Sequence, residues 1–384
     1  MGSVKDIIDL PADAVLPKHV DQNRNLYKVF KVSERFSVFD LKDRIKDRIP
    51  LKDMSLCMMA ANDFEFLEGE GFKTHYIGLL DENNKVVSTK DLDKPSNRLV
   101  FRVYNFFEDK VIFNEADGTY DYSFFKKNRG KLNQYVVLLE CVFRNGAPEG
   151  SSLFRKTIPK WQKNGDTKSI NNFLNRAGLR ELPQPGDMFP NTIYDFWTKV
   201  EREDRPVGDD SNYEEAYEIS GLSREQFELV VTTIAEVPKA TGKYLKSVGI
   251  DLYDGKREFA WDDGPRVADF PATLDEDRWL RNGRQISKEF VRQYMEKKMP
   301  DFYQHMLACK EQAEKKGLED FRELLQMEIP RFPKEILELA GNLYAATADV
   351  VLQRPMFHDI YGTPKLDDLM SKVDEVNREL KAQK

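Results

Sequence analysis

Hydrophobic and polar positions alternate in several short runs in the first part of the chain. Residues 24–40 begin with a polar–apolar alternation, and residues 99–107 and 135–143 are rich in aromatic and β-branched residues, so all three runs are predicted strands. A helical pattern over residues 53–68 stands between them. The chain up to about residue 145 is therefore predicted to be rich in strands, with short helices.

The second half of the chain changes to helical spacing. Ser223 and Gln226 form a capping-box pattern, and apolar residues then recur on one helix face as far as Gly249. From Ser287 onward the pattern is almost wholly helical and is broken only at prolines. Residues 145–220 are rich in Gly, Pro, Asn and Asp, which predicts loops with isolated helices and favours a binding region.

Composition then excludes several classes of function. The chain has 384 residues, enough for two domains, and a net charge of −7, which argues against a dedicated nucleic-acid binder. It has no apolar run long enough to span a membrane and no signal-peptide pattern at its start. Its 3 cysteines and 4 histidines lack the spacing of zinc ligands. We therefore expect a cytoplasmic protein with small-molecule partners, and homo-oligomer formation stays open.

The most informative chemistry lies in a predicted hairpin around residues 262–265. If these four residues form the turn, Glu258 faces Asp269 across the two strands. Two such carboxylates repel each other, and Mg²⁺ held by them together with substrate phosphates would offset the repulsion. Alternatively, Lys256 or Arg266 neutralises them on a solvated face. A slip of one residue in register would place them on opposite faces.

Residues 249–259, GIDLYDGKREF, resemble the G-x-x-x-x-D-x-K-x-E-F segment of SAICAR synthetases, a family of purine biosynthesis. Other segments are similar to motifs of the same family and occur in the same order. They are GSVKD at 2–6, RFSVFD at 35–40, ECVFRN through GSS at 140–152, TKVE with DR at 198–205, and Asp269 with DRW at 277–279. Together these segments cover roughly residues 2 to 295.

The resemblance implies an α+β fold with two lobes. A β-rich N-terminal lobe, similar to that of kinases or ATP-grasp enzymes, would lie over a larger α+β lobe, with ATP in the cleft between them. We expect residues 1–140 to form the first lobe with its phosphate loop, and residues 141–286 to form the second lobe with the metal and substrate residues. Residues 287–384 would be a helical extension packed on the second lobe.

The same resemblance implies the reaction, its cofactors and its residues. An ATP-dependent, Mg²⁺-dependent ligase would join the carboxylate of carboxyaminoimidazole ribotide (CAIR) to L-aspartate through an acyl phosphate, giving SAICAR, ADP and phosphate. Catalytic roles are implied for Lys199, Lys256 and Asp254. ATP contacts are implied for Gly2, Ser3, Lys5, Leu138, Glu140 and Glu258, within a segment 136–140 that would pass the adenine. Substrate contacts are implied for Ser37, Lys52, Arg144, Ser151 and Arg278, and Mg²⁺ binding for Glu258 and Asp269.

Departures from the family pattern leave other functions open. The family's I-P-G-K-G turn reads IPLKD at residues 49–53, so we expect it to lose conformations that only glycine adopts easily. Asp277 stands where the family commonly has serine, and it would repel an anionic ligand unless it faces away. One alternative is a paralogous ATP-dependent amide ligase for another heteroaromatic carboxylate or amino acid, as in nucleoside natural-product biosynthesis. Another is a nucleotide-binding regulator without catalysis, against which the retained residues Lys5, Lys199, Glu258 and Asp269 argue.

Overall fold

The chain divides into two compact units that interleave along the sequence. The structure, a computed structural model, describes residues 4–202, 204–286, 289–316, 318 and 320–382. The first unit comprises Met1–Asn62, Ile77–Phe101 and Ile286–Lys384, and the second comprises Asp63–Tyr76 and Arg102–Gln285. The mixture of helices and sheets agrees with the expected α+β fold class.

Strands occur in groups separated by one or two helices as far as β15, and the last five helices follow without a strand between them in the described chain. The strands are β1 (Lys5–Asp9), β2 (Tyr27–Val32), β3 (Tyr76–Leu80), β4 (Val86–Val87), β5 (Arg98–Arg102), β6 (Ile112–Asn114), β7 (Thr119–Asp121), β8 (Tyr135–Val136), β9 (Leu139–Gly146), β10 (Met188–Thr198), β11 (Pro206–Asp209), β12 (Asp251–Trp261), β13 (Pro265–Ala268), β14 (Arg278–Arg281) and β15 (Arg284–Gln285). The helices are α1 (Lys52–Gly69), α2 (Ser123–Lys127), α3 (Ile158–Asn164), α4 (Thr167–Ala177), α5 (Glu214–Ser220), α6 (Arg224–Ser247), α7 (Glu289–Lys298), α8 (Pro300–Lys316), α9 (Lys334–Leu352), α10 (Met356–Tyr361) and α11 (Leu366–Ala382). Of these described helices, none is both long enough and apolar enough to cross a membrane.

The first unit contains a sheet in the order β1-β2-β5-β3-β4 and the C-terminal helices. Its sheet core includes Val29, Leu80 and Val100, all of which are buried. Helix α9 approaches the backbone before α1 so closely that a Cβ on Gly341 would lie 2.2 Å from the carbonyl oxygen of Pro50. This close approach joins a C-terminal helix to N-terminal residues of the same unit.

The turn before α1 keeps a conformation typical of glycine although it contains none. Leu51 has a φ of 61°, in the left-handed region that ordinary residues avoid. The expectation that the loss of the family glycines excludes such backbone angles is therefore wrong. The predicted strand around residues 35–40 is also wrong, because Phe39 and Asp40 have positive φ values and cannot continue an extended strand.

The second unit is built on a sheet whose main path runs β11-β10-β9-β12-β14-β15, with neighbouring strands antiparallel. Helix α6 begins with the predicted capping box, in which Ser223 and Gln226 bond reciprocally. Its Phe227 packs 5.9 Å from Phe196 of β10, measured between ring centroids. The sequence analysis missed β10, because Pro190 and Asn191 interrupt the alternation where the pairing with β9 is also irregular.

Candidate active site

Register places a row of charged residues on one face of the second unit's sheet. Strand β12 pairs with β9 so that Asp254 lies opposite Arg144 and Lys256 lies opposite Val142. Directly opposed residues share a face, and every second residue along a strand returns to it. Glu140 of β9 and Glu258 of β12 therefore join the same face, which we call the charged face.

Two lysines lie among carboxylates at one end of the charged face. Lys199, which follows β10, bonds Glu258 and lies 3.9 Å from Glu140. Lys256 lies 3.1 Å from Glu140, 3.3 Å from Glu258 and 3.5 Å from Glu276, measured from Nζ to the nearest carboxylate oxygen. We call Lys199, Lys256, Glu140, Glu258 and Glu276, together with Asp269, the lysine–carboxylate cluster.

Asp269 joins this cluster, but not through the predicted pairing with Glu258 across the hairpin. The β12–β13 hairpin pairs Glu258 with Ala268, one residue away from the predicted partner. The predicted register is therefore wrong, because the turn comprises residues 262–264 only and the returning strand begins one residue earlier, at Pro265. Asp269 follows β13 with a φ of 63°, which ends the strand alternation. The negative charge of Asp269 raises the pKa of both Lys199 and Lys256.

Electrostatics keep both lysines of the cluster protonated. Burial lowers the pKa of Lys199, but Glu258 and Asp269 more than offset it, so the net shift is upward. The pKa of Lys256 is raised in the same way, with Glu276 as its strongest carboxylate neighbour. Burial and the charge of Glu258 raise the pKa of Glu140, although the lysines oppose the shift. The lysines can therefore stabilise negative charge, but they are poorly suited to act as bases.

The donor set of the cluster is compatible with a divalent cation. Four carboxylates face two lysines, which leaves an excess of two negative charges. Carboxylate oxygens are the ligands that Mg²⁺ takes in proteins, usually one or two of them together with substrate phosphates. Within the described residues, no group of three or more His, Cys, Asp or Glu side chains could hold a metal alone. Substrate phosphates would therefore have to complete any metal site here.

Two arginines flank a carboxylate farther along the charged face. Asp254 accepts from Nε of Arg278 at 2.7 Å and lies 3.6 Å from Nη1 of Arg144. Arg144 also lies 3.9 Å from Asp195 of β10, which in turn pairs with Arg176 of α4 at 2.9 Å. The arginines are partly exposed, with side-chain exposures of 16% for Arg144 and 24% for Arg278. This arrangement leaves guanidinium groups available to phosphate or carboxylate.

Asp277 faces away from the charged face. It pairs with Arg257, whose Nη1 and Nη2 lie 2.7 Å and 2.9 Å from its two carboxylate oxygens, and both side chains are fully buried. The expected repulsion of an anionic ligand therefore does not arise on this side of Arg278. Arg266, the other proposed neutralising residue, contacts Asp262 at 3.0 Å, whereas Lys256 does contact Glu258.

The remaining predicted site residues lie in several places. Gly2 and Ser3 fall outside the described residues. In the first unit, Nζ of Lys5 lies 4.9 Å from the ring centre of Phe30, and Ser37 accepts from the backbone of Lys42. Lys52 is fully buried in that unit, where it donates to the carbonyl of Arg35 at 3.1 Å. In the second unit, Leu138 and Ser151 are buried, and Leu138 lies in the break between β8 and β9.

Sequence reasoning missed the roles of several residues that the fold brings together. Glu276 joins the lysine–carboxylate cluster, and Asp195 and Arg176 extend the charges beyond Arg144. The run of three consecutive acidic residues at 275–277, directly before Arg278, is the only sequence signal that points to Glu276. Asp195 and Arg176 gave no such indication, since β10 itself was not recognised.

Comparison with known proteins agrees with these features. The chain matches the family model described as SAICAR synthetase over residues 19–308. A relative from Archaeoglobus fulgidus, provisionally named phosphoribosylaminoimidazole-succinocarboxamide synthase, is 34% identical over 98% of this chain and 99% of its own length. The synthase of that name from Thermoplasma volcanium is 30% identical over 69% of this chain and 76% of its own length. A solved SAICAR synthase from Saccharomyces cerevisiae, in complex with SAICAR, shares the fold with a TM-score of 0.53 at 16% identity, covering 92% of this chain and 93% of that one.

Fold and site together define an α+β protein with a lysine- and carboxylate-lined sheet face. The family model covers well over half of the chain, and the Archaeoglobus relative spans nearly all of it. The chain belongs to the SAICAR synthetase family.

Proposed function

We propose that the protein is an ATP-dependent ligase that joins the carboxylate of CAIR to the amino group of L-aspartate. ATP would phosphorylate the CAIR carboxylate, because a free carboxylate is a poor electrophile toward an amine. The aspartate amine would then displace phosphate from the acyl phosphate, releasing ADP, phosphate and SAICAR. Among our observations, the lysine–carboxylate cluster on the charged face supports this proposal most strongly.

The cluster has the charges that phosphoryl transfer needs. Lys199 and Lys256 would stabilise negative charge on the transferring phosphoryl group, since their raised pKa values keep them protonated. Glu140 and Glu258 hold both ammonium groups in place through the contacts described above. Asp254 would act indirectly, because its hydrogen bond with Arg278 orients that guanidinium group.

Glu258 and Asp269 would hold Mg²⁺ together with the phosphates of the nucleotide. When bound, the cation would neutralise charge on those phosphates. The excess negative charge of the cluster supports this assignment. In the first unit, Lys5 would approach the nucleotide phosphates, with Gly2 and Ser3 beside it in sequence.

Arg144 and Arg278 would bind the anionic groups of the ribotide, and Ser151 would contribute beside them. Both guanidinium groups are partly exposed and share Asp254, so an arriving phosphate could exchange with that carboxylate. Ser37 and Lys52 are left out of this proposed ribotide site, because Ser37 accepts from the backbone of Lys42 and Lys52 is fully buried and donates to a backbone carbonyl.

Other functions receive less support. A paralogous ligase for another carboxylate is not favoured, because the relative that matches 98% of this chain carries the name of the same synthase. A regulator without catalysis would not need to maintain four carboxylates around two partly exposed lysines, because the carboxylates repel one another in the absence of a ligand.

The direct test is ADP release by the purified protein with Mg-ATP and CAIR, measured with and without L-aspartate. We expect SAICAR, identified by mass, and ADP release that depends on both substrates. Clear binding of Mg-ATP without turnover of CAIR would contradict the proposal and favour the paralogous ligase. A screen of carboxylates and amines would then identify the true pair.

A further inference from the structure

Arg257 lies between two residues of the lysine–carboxylate cluster but points to the opposite face of the sheet. Its neighbours on β12, Lys256 and Glu258, both belong to the charged face. The guanidinium of Arg257 is fully buried, lies 4.9 Å from the ring centre of Phe143 and bonds both oxygens of Asp277. A buried bidentate pair of this kind holds two chain segments in one relative position.

The backbone leaves space for this pair because Gly255 has no side chain. A Cβ on Gly255 would lie only 2.0 Å from Oδ1 of Asp277, so no other residue fits there without displacing the carboxylate. The backbone N–H of Asp277 also donates to the carbonyl of Thr273 at 2.8 Å, and the indole of Trp279 lies 3.4 Å from its carboxylate. Asp277 is thus fixed from several directions.

Consecutive residues around Asp277 each pair with β12. Glu276 pairs with Lys256 at 3.5 Å, Asp277 pairs with Arg257, and Arg278 bonds Asp254 at 2.7 Å. The first and third pairs lie on the charged face, and the second is buried on the other side. The buried pair therefore fixes the segment that carries both Glu276 and Arg278.

A second buried carboxylate faces Arg257. Asp63 of α1 accepts from Thr241 of α6 at 2.9 Å, and its charge interacts with both Arg257 and Asp277. Within the described structure, its other oxygen has no hydrogen-bond partner. Charges buried in this way generally add little stability compared with apolar side chains of the same volume, so their retention calls for another explanation.

We propose that the buried Arg257–Asp277 pair, with Asp63 as a second counter-charge, is a positioning device. It sets the register between β12, which carries Lys256 and Glu258, and the segment that carries Glu276 and Arg278. This inference rests on the proposed function only for its effect on catalysis. The positioning itself concerns these two segments whatever the substrate.

The test replaces the pair by apolar residues, in the double variant Arg257→Met/Asp277→Leu. If the pair contributes only to stability, this variant should fold and be as active as the wild type, because no buried charge is left unpaired. Positioning predicts a melting temperature close to that of the wild type, a fall of about tenfold in kcat and a rise of about tenfold in KM for the ribotide. The matched control is Arg224→Met/Glu214→Leu, which removes an exposed ion pair far along the chain.

Hydrogen exchange provides a readout that does not depend on the reaction. Amides of residues 276–281 should exchange at least tenfold faster in the double variant, whereas amides of α6 keep their protection. Unchanged exchange at 276–281, or activity within threefold of the wild type, would overturn the proposal. Should the double variant fail to fold, Asp277→Asn, which keeps the volume and weakens the pairing, should show the same local increase. Absence of turnover in the wild type, together with the expected exchange, would refute the proposed function and leave the positioning intact.

Discussion

The two faces of β12 carry charge in different ways. On the charged face, Lys256 and Glu258 belong to a cluster in which carboxylates outnumber lysines and side chains keep some exposure. On the buried face, Arg257 pairs with Asp277 in a site without exposure. The buried carboxylate Asp63 responds to its surroundings by a pKa raised to about 6, mainly through burial.

This difference shows that the extent of burial determines how an excess of negative charge is balanced. In a buried site, the excess is removed most easily by taking up a proton. On a face that ligands can approach, it can persist and be balanced by a bound cation. The proposed magnesium site and the raised pKa of Asp63 are thus two responses to the same electrostatic problem.

The largest effect should follow removal of charge from the lysine–carboxylate cluster. Glu258→Gln should lower turnover by about 10³-fold, because the lysines lose their shared partner and the proposed cation loses a ligand. The melting temperature should stay the same or rise, since repulsion among the carboxylates is reduced. Steady-state kinetics and thermal unfolding measure both. Asp263→Asn, an exposed carboxylate of the same hairpin, is the control; a large loss of stability with retained turnover would contradict the assignment.

A smaller and more selective effect is expected from the arginines. Arg144→Ala and Arg278→Ala should each raise KM for the ribotide about 10- to 100-fold, because each removes a charged hydrogen-bond donor to an anionic group. KM for ATP should change by no more than about twofold. Kinetics with each substrate varied in turn separate the two constants. Equal weakening of both substrates would show that these arginines do not line the ribotide site.

On the buried face, the titration of Asp63 should make the free energy of unfolding depend on pH. The pKa of Asp63 is higher in the folded protein than its ordinary value of 3.8, so folding favours its protonated form, and the stability that this form contributes is lost as pH rises through about 6. Asp63→Asn keeps an acceptor for Thr241 and removes the titration. The variant should gain up to about 3 kcal/mol over the wild type at pH 8 and little at pH 4. Denaturant unfolding at both pH values measures this; an equal difference at both would contradict it.

The smallest effect is expected from Arg266→Gln. Arg266 pairs with Asp262 and not with Glu258, so its loss should leave kcat/KM within about twofold of the wild type. The same kinetic assay measures this. A tenfold loss would restore the interpretation in which Arg266 neutralises the carboxylates of the hairpin.

Local sequence patterns predicted those elements whose structure depends on local interactions. The capping box at Ser223 identified the start of α6, and the helical spacing after Ser287 identified the C-terminal helices. The strand β10 escaped prediction because its irregular pairing at Pro190 is stabilised by β9, a neighbour distant in sequence. Glycine-free turns such as that at Leu51 were misjudged for a similar reason, since packing can hold an unfavourable φ.

The candidate site was predictable to the extent that its residues lie in recognisable motifs. Glu258, Lys256 and Lys199 were named from the resemblance, and the structure brings them together. The hairpin register failed by one residue because the turn type cannot be inferred from its composition alone. Asp63 could not be predicted, because its contact with Thr241 joins positions 178 residues apart.

In the proposed mechanism, the lysine–carboxylate cluster binds a divalent cation together with the nucleotide. Titration of Mn²⁺ in the presence of ADP, followed by electron paramagnetic resonance, tests this directly in the wild type and in Glu258→Gln. We predict one tightly bound Mn²⁺ in the wild type and an affinity at least tenfold lower in the variant. Equal Mn²⁺ binding by the two proteins would contradict the claim.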